Sequence, residues 1–533
     1  MWNALLKDLL VVAYVLVLAM IALYGFHRYV LVYLYVKHRH NGYQPKARFD
    51  ALPRVTIQLP MYNEDTVAER IIASTCAIDY PLEKLQIQVL DDSTDHSAEI
   101  AKGAVDAWAA KGYPIEYIHR ANREGYKAGA LEAGLRSATG EFIAIFDADF
   151  VPPRDILHNV VDYFTDDKIG MVQVRWDHLN RDASLLTKSQ AIFLDGHFVI
   201  EHTARNRSGR FMHFNGTAGV WRRTTIADGG GWQHDTLTED LDLSYRCQLK
   251  GWQFVYLPQY AAPAELPPEM IGFKQQAYRW TKGSFQTAIK LLPGILRSRN
   301  LPKHVKWEAF FHLTNTIVYP LMVLLVLLMY PVFIGFATVF KANSWGSYIF
   351  SASLFILATC SASTFFIFGQ KELFGREAGW RTLLYMPALM ALGVGVSLNN
   401  AKAVLDAIWT AYRRKPSEFV RTPKYGVTGH SKAKHKTSSV FTFSRLALPI
   451  VEIAFGSYML SCTWISVWYL CGIWPGQDRM DGIATVPFLL IFAGGFYYVG
   501  FGSLHAMWQM HRDSIGAPAI LPVPEEIEPL QTT

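Results

Sequence analysis

Two aspartates one residue apart, Asp147 and Asp149, follow the apolar run Phe142–Phe146. Carboxylate oxygens at this spacing suit Mg²⁺ or Mn²⁺, which takes one or two carboxylates plus substrate phosphates. A nucleotide diphosphate would be repelled by bare carboxylates. A divalent cation between them removes the repulsion and stabilises the charge that grows on a departing diphosphate. The plain alternative is a solvated turn with two acids. Asp92, at the end of Leu85–Leu90, could accept hydrogen bonds from a base or ribose, or close an Asx turn with Ser93. Lys127, in the glycine-containing stretch Asn122–Gly129, could meet a diphosphate as a point charge at a helix start, or simply be solvated. Asp240, in Thr238-Glu239-Asp240, could take the proton of a hydroxyl as it attacks. It could equally be a helix-end acid, with Thr238 capping a helix through Leu249. Gln276, Arg279 and Trp280 share one face at helical spacing, and the indole could back the C–H side of a pyranose or anchor at a membrane surface.

These residues need elements to hold them. Arg54–Leu59 reads as a strand ending at Pro60–Glu64, Leu85–Leu90 as one ending at Asp91-Asp92, and Phe142–Phe146 as one ending at Asp147. Ala128–Arg136 reads as a helix. Strands separated by helices predict a parallel sheet covered on both faces, which binds ligands outside the carboxyl ends of its strands. Three successive strands ending in acidic or polar residues therefore point to one site. The α/β unit is expected over residues 50–265.

The 533 residues are 51% hydrophobic and 18% charged, with a formal net charge of +6. That is too apolar for one soluble domain and too charged for a chain wholly in lipid. No nucleic-acid partner is expected from so modest a charge. Five cysteines, at 76, 247, 360, 462 and 471, form neither a metal spacing nor a disulfide framework.

Spans need roughly 20 apolar residues. Leu9–Phe26 reads as a retained anchor, followed by a basic linker to residue 49. Interface helices with Gln276–Trp280 are expected over 266–310. Ile317–Ala337 and Tyr348–Phe368 form one helix pair within 311–370, joined around Lys341–Gly346. Leu446–Cys471 and Ile483–Trp508 form another within 441–511, joined by Gly476–Gly482. Between the pairs, over 371–440, Leu383–Leu398 is short and broken by Pro387, Gly393 and Gly395, and is expected not to cross. The segment Tyr412–Lys436 carries Arg413, Arg414, Lys415, Arg421, Lys424, Lys432, Lys434 and Lys436, which places it in the cytoplasm. Five spans then put the N-terminus outside, the catalytic domain inside, and a disordered tail, 512–533, inside. The expected location is a multi-pass membrane protein of the bacterial inner membrane.

The order D…DxD…TED…QxxRW resembles that of the processive family-2 glycosyltransferases, the cellulose, hyaluronan and chitin synthases. Longer stretches are similar to the cellulose-synthase-like A enzymes that make mannan and glucomannan, and to bacterial relatives. They are PMYNE (60–64), VLDDSTD (89–95), GYKAGAL (125–131), IFDADF (145–150), FNGTAGVW (214–221) and KGWQFVY (250–256). The resemblance implies a family-2 nucleotide-diphospho-sugar transferase fold set between transmembrane helices, a divalent metal (Mg²⁺ or Mn²⁺), inversion, and a β-linked product. It implies donor binding by Tyr62, Glu64, Asp92, Lys127, Asp147, Gln276 and Arg279, metal binding by Asp147 and Asp149, and Asp240 as base. It implies acceptor binding by Phe214, Asn215, Gly216, Thr217, Glu239 and Trp280. FVRTPK (419–424) is similar to the gating-loop motif FxVTxK, with Phe419, Thr422 and Lys424 matching and Arg421 in place of valine. The expected partners are a nucleotide-sugar, UDP-glucose or GDP-mannose, a growing glycan or a lipid acceptor, and the membrane. A glycolipid synthase is the rival reading, and a non-catalytic scaffold is disfavoured by the three intact aspartates.

Overall fold

The computed structural model describes residues 4–336, 357, 360–413, 417–426, 443–470 and 479–514. The loop Lys341–Gly346, much of Tyr348–Phe368, Arg414, Lys415, Lys432, Lys434, Lys436, the start of Gly476–Gly482 and the tail from Gly516 lie outside the described residues.

Seven strands make one sheet: β1 (Val55–Met61), β2 (Leu85–Asp91), β3 (Ile115–His119), β4 (Phe142–Ile145), β5 (Ile169–His178), β6 (Gly219–Arg222) and β7 (Gln253–Ala264). Their order is β3-β2-β1-β4-β6-β5-β7. The first four are parallel, but β6 runs antiparallel to both β4 and β5. The sheet is thus mixed, not parallel as predicted. The reason is local. Residues 214–217 form a loop at the carboxyl end of β4, where Ala218 N donates to Ile145 O at 2.8 Å. A chain leaving that loop can only run backwards.

Alternation along β4 separates two cores. Phe142, Ala144 and Phe146 join the cluster containing Ile57, Leu59 and Ile87. Ile143 and Ile145 join the one containing Leu131, Phe214 and Trp221. On their second face β1 and β2 carry Gln58 and Gln88, and these are fully buried. Buried amides must find partners. Gln58 Nε2 donates to Gln88 Oε1 at 3.0 Å, and Gln88 Nε2 to Glu116 Oε1 at 3.0 Å. This ladder pins the relative register of β1, β2 and β3.

Trp221 is fully buried, edge-on to Phe214 (5.5 Å), Trp232 (5.9 Å) and Phe254 (5.3 Å). Trp221→Ala is expected to destabilise the domain by about 3–5 kcal/mol. Thermal unfolding of purified protein checks this, and an unchanged midpoint contradicts it.

Among the described residues, five helical stretches are long and apolar enough to cross a membrane: Leu9–His38, Lys303–Met329, Ser361–Arg413, Arg445–Trp468 and Val486–Arg512. The helix beginning at Ala4 runs on to His38, well beyond the apolar stretch read from sequence. Leu383–Leu398 lies inside the third stretch, because helix continues through Pro387 to Gly395. Gly375, with φ +88°, divides that helix. Small residues let backbones approach closely. A Cβ on Gly395 would stand 2.2 Å from Gly495 O. The helix Met270–Arg297 is fastened to these segments by a buried ion pair, Lys274 Nζ to Glu452 Oε1 at 2.7 Å.

Candidate active site

The carboxyl ends of β1, β2 and β4 meet the start of helix Tyr126–Ser137, the 214–217 loop and the start of helix Glu239–Leu249. Among the described residues, the three non-glycine residues with left-handed backbone are Asn63, Tyr126 and Ala218. All three sit where a chain turns into this edge. Such conformations are costly and gather at functional sites.

Lys127 is central. Its Nζ donates to Asp147 Oδ1 at 2.5 Å and to Gly216 O at 2.8 Å. Burial works against its charge, but Asp147, Glu239 and Asp240 outweigh burial and hold its pKa above the ordinary value. Thr217 Oγ1 accepts from Asp147 N at 2.8 Å, so the 214–217 loop sets the aspartate pair from beside it. Gly216, at φ +82°, is the point of closest approach. A Cβ there would stand 2.9 Å from Asp240 Oδ2 and 3.4 Å from Lys127 Nζ.

Asp240 opens helix Glu239–Leu249, and its Oδ1 accepts from Leu241 N at 2.8 Å. Burial first, then adjacent Glu239, raises its pKa well above the ordinary aspartate value, against Lys127. Glu239 is raised too, chiefly by burial. Arg279 feels Glu239, Asp147, Asp240 and Asp149, while burial lowers its pKa. Asp240 Oδ2, Lys127 Nζ and Asp147 thus bound one small space, with a guanidinium facing it. Thr238 does stand at the helix start, but its hydroxyl lies 3.3 Å from Thr287 Oγ1 and caps no backbone N–H.

At the carboxyl end of β2, the sequence alternatives divide between two residues. Asp91 closes the turn, accepting from Ser93 N at 3.0 Å and Tyr117 OH at 2.6 Å. Asp92 is gripped by Arg120 through Nε at 2.7 Å and Nη2 at 2.5 Å. Arg123 lies 3.3 Å from the centre of the Tyr62 ring. Sequence reading missed both arginines. The signal available was their place just past the carboxyl end of β3, a strand it did not identify.

The segment 417–426 is folded over this edge. Lys424 pairs with Asp149. Arg421 pairs with Glu64 at 3.0 Å and donates to Tyr62 O and Asn63 O. Burial pushes the Glu64 carboxyl up to about 7 despite Arg421 and Lys424. Phe419 stacks on Tyr126 (5.9 Å) and lies 4.6 Å from the Arg279 guanidinium. Thr422 is buried beneath. A small crevice is lined in part by Tyr126, Lys127, Glu239 and Phe419.

The structure does not gather every expected residue. Phe214 is fully buried against Trp221, so its ring supports the loop from below and cannot line an acceptor path. The Asn215 side chain turns away, to His197 (3.1 Å) and His213 (3.2 Å). Gln276 and Trp280 are half-buried on the helix that carries Arg279.

Residues 53–283 match the model of the family "Glycosyltransferase like family 2". The chain is 33% identical to glucomannan 4-beta-mannosyltransferase 7 of Arabidopsis thaliana, over 84% of this chain and 76% of the relative. It is 32% identical to glucomannan 4-beta-mannosyltransferase 1 of Oryza sativa subsp. japonica, over 86% of this chain and 84% of the relative. A mannosyltransferase from Pyrobaculum calidifontis, solved with GDP-Man and Mn²⁺, aligns at 22% identity and a TM-score of 0.44, covering 67% of this chain and 99% of that one. With this kinship over most of its length and a strand-end aspartate pair beside Asp240, the chain belongs to the family-2 glycosyltransferases and is an enzyme of that family.

Proposed function

We propose that this enzyme polymerises a β-linked mannan or glucomannan, taking mannose from GDP-mannose, with UDP-glucose as the second donor. The observation that carries the chemistry is the convergence of Asp240 Oδ2, Lys127 Nζ and Asp147 around Gly216. The acceptor hydroxyl attacks the anomeric carbon, its proton passes to Asp240, and the bond to the diphosphate oxygen breaks. One displacement inverts the centre. Lys127 and Arg279 face the developing negative charge. Asp92 with Arg120, and Tyr62 with Arg123, offer a polar edge and an aromatic platform for the nucleoside. The donor preference is supported by the relatives, both named for mannosyl transfer.

Asp147 and Asp149 have the hard-oxygen chemistry a divalent cation needs, and the Lys424 ammonium already stands as a cation at Asp149. Mg²⁺ or Mn²⁺ held there would neutralise the leaving diphosphate. In this reading segment 417–426 withdraws before a donor enters, because Lys424 and the cation compete for one carboxylate.

We place the protein in the bacterial inner membrane, with the catalytic domain cytoplasmic, the N-terminus outside and Leu383–Leu398 at the interface. The basic residues that follow the first and third helical stretches support this orientation. An N-terminal tag reached only from inside cells overturns it.

Purified enzyme incubated with GDP-mannose and UDP-glucose is expected to give long chains cut by a β-mannanase. Short organic-soluble glycolipids would replace this reading with the lipid-acceptor one.

The proposal also fixes a pH dependence. Asp240 must be ionised to accept a proton, and its surroundings favour the protonated form. The acid limb of kcat therefore lies well above the ordinary aspartate value of about 4. Glu239→Gln removes a neighbouring negative charge and shifts that limb to lower pH. A limb near pH 4 in the native enzyme contradicts the assignment.

A further inference from the structure

Three residues before Gly216 stands His213, and there three histidines converge: a ligand atom of each of His197, His202 and His213 lies within 4.8 Å of the others. The backbone is what brings two of them together. On an α-helix, residues five apart point about 140° away from each other. Residues Gly196–His202 instead form a π-helix, whose hydrogen bonds run from i to i+5 and stack such residues. The rings of His197 and His202 are accordingly 4.5 Å apart. π-turns of this kind are rare and recur at functional sites.

The polar atoms here lack the partners that burial demands. His202 has 0% exposure, and neither ring nitrogen makes a hydrogen bond. His213 Nδ1 and Asn215 Oδ1 are likewise buried without a bond. Asn215 Nδ2 lies 3.1 Å from His197 Nε2 and 3.2 Å from His213 Nε2. The two ends of an amide are interchangeable by rotation. Turned over, the Asn215 oxygen faces the same imidazoles as a fourth donor. His197 Nδ1 is bonded to Glu201 Oε2 at 3.0 Å, the carboxylate-to-imidazole support common behind metal-bound histidines. The nearby guanidinium of Arg205 is neutralised by Glu201 and Glu308. The His197 side chain is 25% exposed, which leaves a way in.

We propose that His197, His202, His213 and Asn215 form a second metal site, separate from the aspartate pair, for a divalent transition metal of the zinc class. Imidazole donors select such ions over Mg²⁺. The ion ties Asn215, and with it the loop whose Gly216 carbonyl holds Lys127, to the π-turn. Its role is to set that loop.

Tag-free, full-length protein in detergent is stripped with a chelator, given one equivalent of Zn²⁺ in excess Mg²⁺, dialysed, and its metal content measured. One zinc per chain is expected, and Co²⁺ in its place gives the visible absorption of nitrogen ligation. His197→Gln and His213→Gln each weaken retention at least tenfold, while Asp147→Asn leaves it unchanged. Wild-type protein that keeps no zinc and gives no cobalt band overturns the proposal without recourse to any variant. So does zinc kept by the His197→Gln/His213→Gln double variant, or zinc lost only in Asp147→Asn, which assigns it to the aspartates.

Discussion

Asp240→Asn lowers the rate of sugar transfer by about 10²–10⁴-fold while nucleotide-sugar binding survives. The substitution is nearly isosteric. Its amide oxygen can still accept from Leu241 N, so the helix start keeps its geometry. What disappears is the basic oxygen that stands 2.9 Å from where a Gly216 Cβ would be. Burial and Glu239 already make Asp240 a stronger base than an exposed aspartate, and no amide replaces that. Turnover of GDP-mannose, measured beside calorimetric donor binding, separates the outcomes. Transfer near the native rate removes Asp240 from the chemistry. Loss of binding together with transfer makes its role structural.

Asp149→Ala has the second large effect, and it falls on binding. Loss of groups that merely support metal ligands costs about 10–100-fold in metal affinity, so loss of a ligand is expected to cost at least tenfold. The substitution also strands the Lys424 ammonium, whose partner is the Asp149 carboxylate. Donor affinity in Mg²⁺ or Mn²⁺ is therefore expected to fall towards the metal-free value, whereas affinity in excess chelator changes little. Native enzyme that transfers sugar undiminished in excess chelator ends the metal assignment altogether.

Some of this site could be read before any coordinates. Strands β1, β2 and β4 were legible because each is a short apolar or alternating run that stops at an acid or a proline. The last three strands were not, because their order and direction depend on a loop far along the chain. Nothing in Gly219–Arg222 says that it runs backwards; the contact of Ala218 with Ile145 decides it. Side-chain direction was equally hidden. Asp91 and Asp92 are interchangeable in sequence, yet one closes a turn and the other faces Arg120. Thr238 stands at the position of a cap but bonds sideways to Thr287. Phe214 belongs to a motif associated with an acceptor and serves as core beneath it. Arg421, a departure from the gating-loop pattern, turns out to pair with Glu64, just past the end of β1.

Strand β4 is only four residues long, bonded on one side to β1 and on the other to β6. Its side chains alternate between two filled cores. A strand has two faces and a period of two, so displacement by one residue exchanges every side chain across the sheet. Here a shift in one direction would drive Ile143 and Ile145 into the space of Phe142 and Ala144, in the other into that of Ala144 and Phe146, and either would bring Ala148 to where Asp149 or Asp147 stands. Insertion or deletion of a single residue between Phe142 and Asp147 is thus not a graded injury. The length of this strand acts as a ruler, and the chemistry at its tip exists at one setting only.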